Sequence, residues 1–309
     1  MLARLQKLIT IGLTGGATLW LVLYWHKSPV IAVAGFFVLT GAYIVFLGIE
    51  FILLWLLHGD DPAPRAGIRE LLRAWVGESK VAPQVFCWRQ PFRSGAVPDE
   101  LAPAPAGAAH RRGVVFIHGF FCNRGFWTPW LEQVKRRGAE SGSGHAFVAV
   151  NLEPVFGSID DYAVQIDEAV TTVTAATGLP PLLVCHSMGG LAARAWLRAF
   201  QGEARIFHVV TIGTPHRGTW LARFGQGTNG RQMRLGGDWH AQLDLGMAPG
   251  RHALFTCWYS NCDNIVFPPS TATLPGADNR LVTGAAHVEM AFLPEVMNTT
   301  LALLDPRMC

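Results

Sequence analysis

Charge is scarce in this chain. Only 15% of its 309 residues are Asp, Glu, Lys or Arg, while half are hydrophobic; an ordinary soluble domain carries about 25% charged residues. That balance excludes a disordered chain, which needs high charge and little apolar surface, and it points toward a membrane. The 25 basic and 22 acidic residues nearly cancel to a net charge of +3. Without a basic footprint, no nucleic-acid partner is expected. Cysteine is sparse as well, six in all and never spaced C-x-x-C, which argues against a disulfide framework or a zinc site. Free thiols are expected, with Cys257 and Cys262 the one pair considered for a bridge. The sequence shows no internal repeat.

Uninterrupted apolar sequence is plentiful at the start. Residues 8–25 (LITIGLTGGATLWLVLYW) carry no charge, and residues 30–57 carry only Glu50. Eighteen helical residues rise ~27 Å and twenty ~30 Å, the thickness of a hydrocarbon core. The link His26-Lys27-Ser28-Pro29 is short enough only for a helical hairpin of two transmembrane spans. Trp20, Trp25 and Trp55 fall near the expected interfaces. Glu50, about one bilayer thickness beyond Val30, is expected in the far headgroup region, with residues 51–57 continuing along the surface; a buried carboxylate with a purpose is the lesser alternative. Arg4 and Lys7 precede the first span, and Arg65, Arg69, Arg73 and Lys80 come after the second, so both ends should be cytoplasmic. A secretory signal cleaved after Ala32-Val33-Ala34 is the competing reading; the apolar run that continues past it argues against cleavage.

Asp60-Asp61-Pro62-Ala63-Pro64 ends the second helix and opens a linker. Ile68, Leu71, Leu72, Trp75 and Val76 then recur at helical spacing opposite Arg65, Arg69 and Arg73, predicting an amphipathic helix that lies on lipid headgroups or packs against the domain C-terminal to it. Three parts result: a hairpin over 1–58, the linker and helix over 59–80, and an α/β domain over 81–309. From about Val81 apolar β-type runs alternate with helical patterns, the mark of a mostly parallel sheet covered on both faces. Strands are predicted at 113–117, 145–152, 181–185, 206–212, 253–259 and 280–283, and helices at 158–178, 191–200 and 294–304. Residues 96–109, rich in Pro and Ala, read as a surface loop.

The sharpest chemical signal is Cys185-His186-Ser187-Met188-Gly189-Gly190, which comes after a predicted strand and opens a helix. A nucleophile elbow needs a serine on a tight turn with minimal side chains two positions away on either side. Ser187 and Gly189 meet that requirement, and Cys185 stands where the strict motif has glycine. A serine hydroxyl is a weak nucleophile, so it needs a histidine base and an orienting carboxylate, in the chain order Ser, acid, His. Asp263 and His287 each lie past a late strand at its carboxyl end, where sites of open α/β sheets collect. Asp238, Asp244 and Asp278 are rival acids, Asp244 the foremost. The backbone N–H groups of Phe120 and Met188 are the expected oxyanion donors. His118 is read as a loop-orienting hydrogen-bonding residue and His186 as structural. Residues 219–249, glycine-rich with Trp220, Phe224 and Trp239, are read either as a mobile cover over an acyl pocket or as an ordinary packed cap.

Together, His118-Gly119-Phe120, the Ser187 elbow, Gly213-Thr214-Pro215-His216-Arg217-Gly218-Thr219, Tyr259-Ser260 with Asp263, and His287 resemble the bacterial lipase/esterase branch of the α/β-hydrolase superfamily. The likeness spans residues 113–304. It implies an α/β-hydrolase fold and a serine carboxylic-ester hydrolase with the triad Ser187, Asp263 and His287. It further implies no cofactor or metal, and a small-molecule or lipid ester as substrate. The N-terminal hairpin, which secreted members of this branch lack, implies contact with membrane lipids, in a bacterial inner membrane with the catalytic domain in the cytoplasm. An acyltransferase or thioesterase using the same three residues, and a non-catalytic membrane protein on the same fold, are the alternatives.

Overall fold

The computed structural model describes residues 1–101, 111–140, 144–245 and 250–304. Its first two helices, α1 (Leu2–Trp25) and α2 (Pro29–Leu56), form the hairpin, and both are long and apolar enough to cross a membrane. Ser28 caps α2 by accepting from the Ile31 N–H, with Pro29 in the first turn, where its missing donor costs nothing. The tip is closed tightly. The Trp20 indole donates to the Ile31 carbonyl at 3.2 Å and fills the space beside Gly35, where a Cβ would lie 1.9 Å from the indole nitrogen. Ala17 and Ala32 are fully buried there.

Helix α3 (Ile68–Pro83) continues into a π-helical turn (Gln84–Arg89) and the short α4 (Gln90–Phe92). Residues 81–92 are therefore helical, and the strand–helix alternation expected from Val81 begins only at β1. Val81, Val85 and Phe86 pack as one helix face against the core, an outcome that a short apolar run leaves open between strand and helix. One edge of α3 packs on α2: Leu71 and Trp75 turn inward, and the Trp75 indole donates to the Ile44 carbonyl at 2.8 Å. Ile68, Leu72 and Val76 stay exposed.

The sheet has six parallel strands, β1 (Val114–Ile117), β2 (Phe147–Val150), β3 (Leu182–His186), β4 (His208–Ile212), β5 (Phe255–Ser260) and β6 (Asp278–Val282), in the order β2-β1-β3-β4-β5-β6. Their near-continuous apolar sequences reflect burial on both faces. Alternate residues go to opposite sides. Val115, Ile117, Leu183 and Cys185 meet α6 (Ala163–Thr177) and α7 (Met188–Phe200), whereas Val114, Phe116, Leu182 and Val184 meet α5 (Thr128–Glu140) and α11 (Pro294–Ala302). The strand order turns back where β1 lies beside β3. The chain leaves those two strands toward opposite faces, opening the crevice in which such sheets hold ligands.

Between β4 and β5 lie a 3-10 turn (Trp220–Phe224), α8 (Thr228–Gln232) and α9 (Asp238–Leu245). This segment packs as core. Ala222, Met233 and Leu243 join the apolar cluster under α6 and α7, and the Trp239 indole donates to Asp160 at 2.9 Å. Residues 246–249 of the glycine-rich stretch and 102–109 of the Pro- and Ala-rich loop lie outside the described residues. Cys87, Cys122, Cys185, Cys257 and Cys262 are free thiols.

The lower half of the hairpin is built into the α/β domain. Gln6 of α1 donates to the Gln90 side chain at 2.8 Å and to the Phe121 carbonyl at 3.3 Å. Phe51 and Leu54 of α2 are buried with Phe267 and Ala286. Glu50 is buried too and accepts a 2.6 Å hydrogen bond from Asn264. Glu50 thus takes the buried alternative and faces protein instead of headgroups, and α2 stays helical through Leu56, packing through Phe51 and Leu54 while Ile52, Trp55 and Leu56 stay exposed. A carboxylate on an apolar span is stable there because a polar partner meets it.

Candidate active site

Ser187 occupies the turn between β3 and α7 at φ 54 and ψ −128. A non-glycine residue in such a conformation costs about 1–3 kcal/mol and persists only when its surroundings hold it. They do so here. The Ser187 N–H donates to the Ile212 carbonyl at 2.9 Å, and the Thr214 hydroxyl donates to the Ser187 carbonyl at 2.8 Å. A Cβ on Gly189 would come 2.3 Å from the Ile117 carbonyl, and one on Gly119 would come 2.8 Å from Ser187 Cβ, so the elbow needs both glycines. Cys185 is fully buried in the sheet face that meets α7, a direction in which a small side chain fits without opening the turn.

His287 is the first residue of α10 (His287–Met290), just past β6 and Gly284. Its Nδ1 lies 2.9 Å from each carboxylate oxygen of Asp263. Asp263 is itself fixed: its Oδ1 accepts from the Ile265 and Val266 N–H groups at 2.9 and 2.8 Å. Burial disfavours the imidazolium, and the Asp263 charge and hydrogen bond outweigh it, so the His287 pKa stands above its usual 6.5. Gly213, at φ +58, sits against this pair; a Cβ there would lie 3.0 Å from Asp263 Oδ2 and 3.1 Å from His287 Nδ1. Of the rival acids, Asp244 pairs with Arg194 and Asp278 with Arg280, and Asp238 opens α9.

Ser187, His287 and Phe120 line one cavity of about 650 Å³. No direct hydrogen bond joins the Ser187 and His287 side chains among the described residues; such bonds commonly tighten only when substrate binds. Met188 begins α7, so its N–H has no acceptor within the helix. His118 accepts from the Leu152 N–H at Nε2 (3.1 Å) and donates from Nδ1 to the Gly119 carbonyl (2.9 Å). Burial lowers its pKa to about 4, which keeps the ring neutral and the Gly119-Phe120 loop braced. His186 donates from Nε2 to the His287 carbonyl at 3.3 Å and stacks on Phe126.

Asn264 and Glu78 were not apparent in the sequence, and Glu50 was singled out there without its partner. Asn264 accepts from the His287 N–H at 3.2 Å while donating to Glu50, linking α2 to the His287 turn. Glu78 of α3 accepts from the Val288 and Glu289 N–H groups at 3.1 and 2.9 Å, and burial raises its pKa to about 7. Asn264 comes directly after Asp263, its one local signal; Glu78 shares its helix with basic residues and looks like a solvated residue. The segment 219–245 contributes nothing to the cavity, whose outer wall comes from α1, α2 and α3. No group of three or more His, Cys, Asp or Glu suited to a metal occurs among the described residues.

The sequence profile of the alpha/beta hydrolase family matches residues 114–303, more than half the chain. The chain belongs to this family. Among solved structures, the hydrolase is similar to the mature form of the lipase BlEst2 from Bacillus licheniformis. The TM-score is 0.55 at 17% identity, over 64% of this chain and 93% of that one. It is also similar to lipase B of Aspergillus fumigatus, with TM-score 0.50 and 16% identity over 66% of this chain and 57% of that one. At such identities the likeness is one of fold, and in both the matched part is about two thirds of the hydrolase.

Proposed function

We propose that this hydrolase is a membrane-anchored serine carboxylic-ester hydrolase of the bacterial inner membrane, its catalytic domain on the cytoplasmic side. The observation that carries the reading is Ser187, strained into a cavity that it shares with a His287 held by Asp263. Ser187 Oγ attacks the ester carbonyl and passes its proton to Nε2 of neutral His287, which Asp263 keeps in the right tautomer. The acyl–oxygen bond breaks, and the departing alkoxide takes that proton. Water, deprotonated by His287, then attacks the acyl-Ser187 ester, and the acid leaves as Ser187 regains its proton. The Phe120 and Met188 N–H groups stabilise both tetrahedral oxyanions, a contribution worth about 10²–10³ in kcat per donor.

The test is covalent. A fluorophosphonate should label the full chain at Ser187, and Ser187→Ala should abolish both labelling and ester turnover while the thermal midpoint stays within a few degrees. Labelling or turnover that survives the substitution would sink the assignment.

A further inference from the structure

The cavity at Ser187 has an unusual outer wall. Leu13 of α1 and Leu39 and Phe46 of α2 line it, yet these side chains are also 56%, 43% and 62% exposed. They therefore form a rim that faces the cavity on one side and the surroundings of the two apolar spans on the other. From Leu39 to Glu50 the wall spans twelve positions of α2, a rise of ~16 Å along the helix axis. At the hairpin tip Trp20 packed on Gly35 shuts the gap between the helices, so the space is a slot bounded at the tip and reaching Ser187. A second apolar face marks the depth. Ile68 and Leu72 of α3 form an open surface with Ile52 and Trp55 of α2, and Arg65 covers the Trp55 ring at 4.8 Å, an arrangement suited to the headgroup boundary.

Resting on the serine-hydrolase reading, we infer that the substrate is a bilayer lipid ester whose acyl chain passes sideways from the hydrocarbon layer into the slot between α1 and α2. Its ester then lies at the interface beside Ser187. The hairpin is the acyl-binding wall of the site, not only its tether. An apolar slot opening among membrane spans is entered directly by a chain already in the hydrocarbon, which is held there by packing against its wall. A water-soluble short-chain ester would leave most of the slot unfilled.

The experiment uses the full chain in phosphatidylglycerol/phosphatidylethanolamine vesicles. The wild type should show a higher kcat/KM for long-chain than for acetyl p-nitrophenyl esters. Ala42→Phe, which intrudes on the slot, should cut the long-to-short ratio at least tenfold, whereas Val38→Phe, on the outward face and outside the cavity, should leave it alone. Because Ala42→Phe can fail to fold, a phospholipid carrying a diazirine in its acyl chain provides a second measurement on the wild-type protein. Crosslinks should reach Leu47 and Val288, which line the cavity and are not exposed to the surroundings, and disappear from them after a long-alkyl fluorophosphonate has occupied Ser187. A preference for acetyl esters, a ratio unmoved in a folded Ala42→Phe, or crosslinks confined to outward positions such as Ile31 and Val38 would overturn the inference. Failure of every fluorophosphonate to label Ser187 would instead overturn the serine reading itself, and lateral binding with it.

Discussion

Gly213 offers a test in which strain and catalysis separate. An alanine at φ +58 costs ~1–2 kcal/mol for the left-handed backbone alone, which in a chain of this size lowers the thermal midpoint by about 2–8 °C. Its methyl group would also lie 3.0 Å from Asp263 Oδ2, 3.1 Å from His287 Nδ1 and 3.1 Å from Met290 Cε. All three are closer than ordinary van der Waals contact, so the acid–imidazole pair must shift by a few tenths of an ångström. Since a 1 Å misplacement costs about 10²-fold in rate, a shift of a few tenths of an ångström in Gly213→Ala should lower kcat by roughly three- to tenfold. Gly236 is the control: it has φ +67 and nothing within 4 Å of a Cβ, so Gly236→Ala should lose similar stability and keep its kcat. Thermal melts in detergent and initial rates on a p-nitrophenyl ester read both quantities. Equal kcat values for the two folded variants would refute the claim that Gly213 leaves room for the Asp263–His287 pair.

The same geometry sets further outcomes. In the proposed mechanism His287 takes the serine proton only when neutral, and its pKa is raised, so kcat/KM should fall as pH drops through a midpoint above 6.5. Asp263→Asn should lower kcat by about 10⁴, by favouring the wrong tautomer, and should move that midpoint down. Glu78 has a pKa raised from 4.5 to about 7, so between those values the folded chain holds a proton that the unfolded chain has released. Its contribution to stability is therefore greatest at low pH and is lost as pH rises through that window. Thermal midpoints of Glu78→Gln across pH 4.5–7 should show a shallower fall than the wild type; an unchanged slope would mean that another group sets it.

The sheet was legible because parallel strands buried on both faces leave apolar runs such as residues 114–117 and 182–185, and because glycine and capping residues punctuate them. The acid–imidazole pair was legible for a related reason. Loops at the carboxyl ends of parallel strands all reach one rim, so order along the chain restricts which residues can meet, and of four possible acids Asp263 is the one bonded to His287. What the sequence hid was long-range packing. Nothing local to Glu50 shows that Asn264, 214 positions later, will meet it, so its distance along the span favoured the headgroup region over burial. Glu78 escaped for the same reason, its donors being backbone amides of a distant four-residue helix. The alternation expected from about Val81 starts later, at β1, because residues 81–92 continue the helix, and so short an apolar run does not distinguish strand from helix. The glycine-rich stretch after Thr219 was read in part as a cover because its aromatic residues gave no sign of the partners, Phe267 and Asp160, that hold Trp220 and Trp239.

The join between Glu50 and Asn264 has a practical consequence. A shortened version starting at residue 59, the obvious route to a soluble preparation, would uncover Phe267 and Ala286, strip the amide behind the His287 turn of its carboxylate, and open the slot to bulk water. Rates measured on such a fragment would describe an unroofed pocket, and chain-length preferences taken from it would not carry over to the intact molecule.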